Sequence, residues 1–384
     1  MVKEKKSGKR GNSIMSHNHV FLLVLGIIAA GIVFFVITNL QISEPETETP
    51  GTVVDTDKDY IEMTGLEIAE KNLEFIESMR KDDGGYYYIQ TCGGEKKESY
   101  IQSNAWALMA YASLYSATND EAYKSAFENE FDIVLSNKKE DPQYTMWLST
   151  QIDEAYEATK EDDYFDFVYR AGDHLLSLVS PNSVKDSMTA ALASRTTALA
   201  ARRLQENNYL PELKLKLIEL SEKYLVRAKE LISQESSIAK RKDNKFNMGS
   251  CWVQSAKLEL FKTTGEKFHV NEINNYFDQM KLVSLLSDQE IFDKTNPTAI
   301  QPCIEVMLEL SRKNLGSYED DAKELLNKYL LKNWDNEINP ICQGSNGYIL
   351  TSKDKRMTLT ESAYFTYLFS NFEIRSSNFN VGKK

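Results

Sequence analysis

Residues 104–123 read NAWALMAYASLYSATNDEAY, and this stretch decides the fold. From Asn104 to Tyr115 nearly every position is apolar or small. A helix built on these residues has no face suited to water and needs protein on all sides. Turn residues then stop that helix, Asp120 and Glu121 suit the positive N-terminal end of a following one, and the aromatics Tyr115 and Tyr123 flank the junction. The pattern returns as YEATKEDDY over Tyr156–Tyr164 and as FKTTGEKF over Phe261–Phe268. Each copy has an aromatic, a threonine three residues later, acidic residues and a second aromatic.

Outward from these junctions, apolar residues recur at spacings of three and four, with almost no alternating β pattern. Turn residues, caps and prolines divide the chain into twelve predicted helices. These cover 60–80, 101–117, 120–137, 143–158, 162–179, 187–206, 210–233, 248–263, 267–285, 297–313, 317–332 and 358–373. The helices starting near 101, 143, 187, 248, 297 and 358 are rich in Ala, Ser, Thr, Met and Cys. TAALASRTTALAA (189–201) and CWVQSAKLELF (251–261) belong to this inner kind. LPELKLKLIELSEKYLVRAKELI (210–232) has one apolar stripe and a charged face, as an outer helix requires. Inner helices begin roughly 43 to 61 residues apart, a period of helical-hairpin arrays.

The N-terminus follows different rules. Val20–Thr38 (VFLLVLGIIAAGIVFFVIT) carries no charge and spans ~28 Å as a helix, enough for a bilayer. Its apolar core is too long for a cleavable signal and no small-x-small site follows it, so 20–40 is predicted to be a transmembrane signal anchor. Lys3, Lys5, Lys6, Lys9 and Arg10 against Glu4 make residues 1–19 a basic stub, which the positive-inside rule places in the cytoplasm. Residues 41–57 are an acidic, flexible tether, 58–376 an extracytoplasmic helical domain, and 377–384 a disordered tail. With 57 acidic against 45 basic residues the net charge is −12, which excludes a nucleic-acid partner that needs a basic surface.

Six hairpins of a small-residue inner and a charged outer helix resemble the (α/α)6 barrel of the six-hairpin glycosidase-like superfamily. The resemblance rests on the helix count, the inner/outer alternation and the Tyr-x-Ala-Thr junctions, and covers most of 60–373. It implies an all-α barrel behind the membrane helix; an open solenoid of helical hairpins is the competing architecture. The cysteines test closure. In a closed ring the loops carrying Cys92 and Cys342 share one face, and a Cys92–Cys342 bridge locks first hairpin to last. Cys251 and Cys303 open adjacent inner helices and could pair, but read as small buried cysteines. No two cysteines have zinc-site spacing, so no metal and no cofactor are expected.

In such a barrel the loops entering the inner helices form a mouth. Tyr87, Asn104, Trp106, Tyr144, Trp147, Arg195, Trp252, Gln301 and Tyr364 gather at it on this reading. Rings with amide groups suit a polyhydroxylated ligand, because sugar C–H faces stack on aromatics and hydroxyls need donors and acceptors. Glycoside hydrolysis needs two carboxyl groups. Glu361 is the candidate acid and Asp186 the candidate base, with Asp141 as a substitute for either, although both Asp186 and Glu361 also sit where helix caps belong. The four histidines, His17, His19, His174 and His269, fall outside the mouth, which disfavours the histidine-dependent epimerases of the resemblance and any Ser/His/Asp triad. The chain is thus expected to be a membrane-anchored hydrolase or lyase of a surface glycan, or a non-catalytic glycan- or protein-binding domain on the same scaffold.

Overall fold

The computed structural model describes residues 60–97, 102–136, 142–178, 180–239, 248–286, 299–327, 331–336, 341–342, 344–348, 356–371 and 373–382. The expected anchor, its basic stub, the tether and Asp141 lie outside these residues. No helix among the described residues is long and apolar enough to cross a membrane. Residues Lys58–Lys384 form a compact unit of their own.

The unit is helical, with α1 Gly65–Ser78, α2 Gln102–Thr118, α3 Glu121–Ser136, α4 Pro142–Thr159, α5 Asp162–Leu178, α6 Ser187–Glu206 and α7 Pro211–Ala239. It continues with α8 Met248–Thr264, α9 Lys267–Met280, α10 Leu282–Leu286, α11 Gln301–Arg312, α12 Glu319–Leu325 and α13 Leu359–Ser370. The single helix expected over 267–285 is two, because Lys281 adopts a left-handed conformation (φ 44°) and ends α9. Helices α2, α4, α6, α8, α11 and α13 form the inner ring. In α2 every residue from Ser103 to Leu114 is buried, as its lack of a polar face demands. Packing is tight enough to exclude a methyl group: a Cβ on Gly172 of α5 would stand 2.5 Å from the Cβ of Ala200 on α6.

The repeated junctions have one construction. Asn119, Lys160 and Gly265 each have φ near +60° to +75°. Their N–H groups donate to the carbonyls of Tyr115, Tyr156 and Phe261 at 2.7, 2.7 and 2.8 Å. The preceding threonine works twice. Thr118, Thr159 and Thr264 donate to the carbonyl four residues back at 2.8 to 2.9 Å. The same hydroxyls accept the N–H two residues ahead at 3.2 to 3.3 Å. The flanking aromatics do join the helices, though through other rings than the motif's second one: Tyr115 meets Phe127, and Tyr156 meets Phe165.

The ring is closed. Helix α1 packs on α13, where buried Asn72 donates to Thr366 Oγ1 at 2.7 Å, so the first helix completes the last hairpin. Helix α13 also packs on α2, and Ser370 Oγ donates to Ser113 Oγ at 2.9 Å. Strand β2 (Ile89–Gln90) lies antiparallel between β3 (Lys96–Lys97) and β4 (Met357–Thr358), tying the segment before the first inner helix to the one before the last. Cys92 and Cys342 are disulfide-bonded across 250 residues, the bridge that closure implies. Cys251 and Cys303 are also paired, joining α8 to α11, so their reading as free buried cysteines is corrected. The tail expected to be disordered from 377 onward contributes β5 (Asn378–Gly382), paired antiparallel with β1 (Tyr60–Thr64).

Candidate functional site

All six inner helices contribute to one cavity of about 280 Å³, which therefore occupies the lumen of the ring. At its inner end are the rings of Trp106, Trp252 and Tyr364, which are 4%, 1% and 2% exposed. The Tyr364 ring centroid is 5.8 Å from that of Trp106 and 6.4 Å from that of Trp252. The lining continues along the C-terminal turns of the helices to exposed Ser116, Glu157 and Arg312. The lumen is thus stopped by aromatics midway and is wettest where the inner helices end.

Charged residues on otherwise apolar helices build the walls. Arg195, Leu199 and Arg202 on α6, and Glu305, Glu309 and Arg312 on α11, follow one another at i, i+4 and i+7, which puts each set on one helix face. They link helix to helix. Arg195 pairs with Glu305 at 2.8 Å across the lumen, and the Tyr364 hydroxyl donates to the same carboxylate. Arg202 on α6 holds Glu259 on α8, Lys262 on α8 pairs with Glu309 on α11 at 3.1 Å, and Arg203 grips Asp153 on α4 with two bonds of 2.6 and 2.7 Å. Burial works against the Glu259 anion, yet Arg202 and Lys262 hold its carboxyl down at about 2. Burial likewise opposes ionisation of Glu309, which Lys262 and Arg312 keep below the usual carboxylate range.

Glu154 is the exception. It accepts one hydrogen bond from the Asn371 amide at 3.3 Å and has no ion pair among the described residues. Burial, with the neighbouring Asp153, Glu157 and Glu305 charges, pushes its carboxyl up to about 7 despite that bond. One turn earlier, Gln151 is 2% exposed and its Oε1 has no donor among the described residues. Both residues line the cavity.

The residues singled out from sequence separate into three groups. Trp106, Arg195, Trp252 and Tyr364 come together in the lumen. Asn104, Gln301, Tyr87, Asp186 and Glu361 do not line this cavity. Asn104 donates to Glu130 at 2.6 Å, Gln301 donates to the Glu361 carbonyl at 3.1 Å, and Tyr87 lies under the Lys96 ammonium. Asp186 is an exposed N-cap of α6, accepting from Thr189 N at 2.8 Å. Glu361 is buried in the first turn of α13, its N–H on Thr358 Oγ1 at 3.4 Å. Tyr144 and Trp147 fall on α4, but their side chains, like Asp141, are outside the described residues. Glu154, Gln151, Glu259, Glu305 and Glu309 were missed. The signal for them was present, since each is a polar residue spaced by helical turns along an inner helix that has no solvent face. Among the described residues no group of His, Cys, Asp and Glu could hold a metal ion.

No family model matches this chain. No curated protein matches it either. Solved structures do. An inactive variant of the GH76A α-1,6-mannanase of Salegentibacter sp., in complex with α-1,6-mannotriose, superposes with a TM-score of 0.57 at 14% identity, covering 80% of this chain and 98% of that one. An unsaturated glucuronyl hydrolase specific for heparin gives 0.55 at 10% identity, covering 79% and 95%. A protein of Listeria innocua gives 0.58 at 14% identity, covering 80% and 97%. The likeness is one of fold: this chain shares with them a closed (α/α)6 barrel of helical hairpins.

Proposed function

We propose that the protein is a membrane-tethered, extracytoplasmic carbohydrate-active protein that takes a surface glycan into its barrel, with glycoside hydrolysis or elimination as the reaction. The observation that carries this reading is the lumen itself, where three aromatic residues border a hollow walled by carboxylates and guanidinium groups. Such a site offers stacking surfaces to C–H faces and charged acceptors and donors to hydroxyls. Similarity in fold to a mannanase bound to mannotriose and to a glucuronyl hydrolase supports the ligand class. The uncharged run at Val20–Thr38 and its basic flank support the tether and its orientation.

For the enzyme reading the acid–base work falls to Glu361, in the first turn of α13, and to Asp141, which precedes Pro142 in the sequence. Asp186 is already engaged as a cap. That engagement, and the position of Glu361 away from the lumen cavity, favour a second reading in which the barrel binds a glycan without cleaving it. Incubating the 58–384 fragment and its Glu361→Gln variant with a glycan library, read for both binding and products, separates the two. Turnover lost in Glu361→Gln supports the hydrolase or lyase. Turnover unchanged by the substitution removes Glu361 from the mechanism, binding without products supports the second reading, and neither binding nor turnover defeats the carbohydrate assignment.

A further inference from the structure

The ion pairs of the lumen do not reach every carboxylate. Six carboxylates and four cationic side chains line the cavity. Glu305, Glu259 and Glu309 are each matched by Arg195, Arg202 or Lys262. Asp153 and Glu157 are matched by Arg203 behind them and by Arg202, and Glu157 also by Lys160. Glu154 is the carboxyl left over, and its contact with Asn371 supplies a dipole and no charge. Gln151 stands at i−3 from it, on the same face of α4. Its amide oxygen is buried without a donor among the described residues, an unfavourable arrangement unless something fills it. Two neighbouring acceptors therefore line the hollow, Glu154 without a cation and Gln151 Oε1 without a donor among the described residues.

A primary ammonium answers both, since it brings one positive charge and three donors. The aromatic end of the same cavity suits the body to which that ammonium is attached. Trp106, Trp252 and Tyr364 border it there, with the Arg195 guanidinium over the Trp252 ring, and about 280 Å³ lies at the small end of ligand sites, the size of one sugar ring. We propose that the lumen binds an amino sugar with a free amino group, its ammonium held between the Glu154 carboxylate and Gln151 Oε1 and its ring against the aromatic end. This rests on the carbohydrate reading above and specifies the sugar: a de-acylated aminoglycan or its monomer.

The charged surroundings of Glu154 give the proposal a proton signature. On its own helix stand Asp153 and Glu157, and α2 adds no titratable group to the lining. Helix α6 supplies Arg195 and Arg202, α8 supplies Glu259 and Lys262, α11 supplies Glu305, Glu309 and Arg312, and α13 supplies Tyr364 and Tyr367. The cations among these are engaged by their own carboxylates, so burial and then the neighbouring carboxylates favour the protonated form of Glu154, and a carboxyl near 7 is largely protonated at pH 5.5. An ammonium arriving there displaces that proton. Affinity for an amino sugar should rise roughly tenfold between pH 5.5 and pH 7, with close to one proton released per molecule bound at the lower pH.

The test is calorimetric titration of the full chain with D-glucosamine, N-acetyl-D-glucosamine, D-glucose and methylamine at pH 5.5 and 7, in two buffers of different ionisation enthalpy. The expected result is preference for glucosamine over both neutral sugars, tighter binding at pH 7, and proton release that disappears in Glu154→Gln. Gln151→Met, which keeps the volume, should weaken glucosamine at least fivefold while leaving the circular dichroism unchanged, so the proposal stays testable if Glu154→Gln does not fold. Equal binding of glucose and glucosamine overturns the ammonium site but leaves the carbohydrate reading standing. Methylamine binding as tightly as glucosamine, with no neutral sugar bound, overturns the sugar and leaves only a cation site. No binding of any of the four by folded protein overturns the proposal, and a library glycan that still binds shows that the carbohydrate reading has not failed with it.

Discussion

The two ends of the inner ring are held by different forces. Where the inner helices begin, the chain enters through long, unlike loops held mainly by covalent and backbone links, two disulfides, the β3-β2-β4 ribbon, helix caps and the Gln301 amide on a carbonyl, with one buried ion pair, Arg80–Glu130, beside Asn104. Where they end, the turns are short and repeated, and charge joins neighbours, α4 to α6, α6 to α8, α8 to α11, and α6 to α11 across the lumen. Irregular loops contribute little regular hydrogen bonding, so cross-links suit them. Short turns fix the helix ends closely enough for ion pairs to keep good geometry, and the same charges leave the lumen polar and open to a ligand.

If this contrast holds, the largest loss should come from opening the covalent end. Cys92→Ser removes a bridge over 250 residues and Cys251→Ser one over 52. Loop entropy assigns about 5 and about 4 kcal/mol to them, measurable by urea unfolding of the oxidised 58–384 fragment. Equal midpoints for wild type and Cys92→Ser would mean that the ring closes without its bridge. At the charged end, Arg203→Met leaves Asp153 without its two bonds, with Arg202 at 3.6 Å as its remaining cation, and should cost about 3 kcal/mol in the same assay. A cost below 1 kcal/mol would show that the belt is solvated and not structural.

A smaller effect isolates Glu154 and has a definite sign. Its folded carboxyl lies near 7 against an ordinary 4.5, so between those values the folded state binds the extra proton. Stability from this group is therefore present at low pH and lost as pH rises from about 4.5 to about 7. Glu154→Gln should abolish that decline, a gain on the order of 1–3 kcal/mol at pH 8 relative to pH 4.5 in paired urea titrations. A slope unchanged by the substitution would show that Glu154 is already compensated. The smallest effect belongs to the turns: Thr118→Val and Thr159→Val should each cost about 1 kcal/mol in melting experiments, additively, since each removes one hydroxyl's two bonds.

The architecture was legible because NAWALMAYASLY cannot face water and because Thr118, Thr159 and Thr264 mark equivalent turns. Closure was legible through Cys92 and Cys342 once a ring was assumed, whereas β5 was not, since NFNVG gains its partner only when the two ends of the unit meet. The site was half legible. Trp106, Arg195, Trp252 and Tyr364 were found, but as parts of an N-terminal mouth, because long loops rich in tyrosine and amide groups draw attention to that end. The cavity lies further along the same helices. Glu154 is flanked in sequence by Asp153 and Glu157, and only the ring shows that those two meet Arg203 while Glu154 meets none of the cations.

A glycan held in the lumen, as proposed, enters from the end where the inner helices finish. Ser116 is an exposed residue on that rim, so Ser116→Trp should plug the entrance while leaving the core intact. Tryptophan fluorescence of the full chain, titrated with a glycan that the library selects, reads occupancy directly through Trp106 and Trp252. The account predicts a saturable change for the wild type that Ser116→Trp abolishes with the fold unaltered by circular dichroism. Unchanged affinity in Ser116→Trp would contradict it and place the ligand elsewhere.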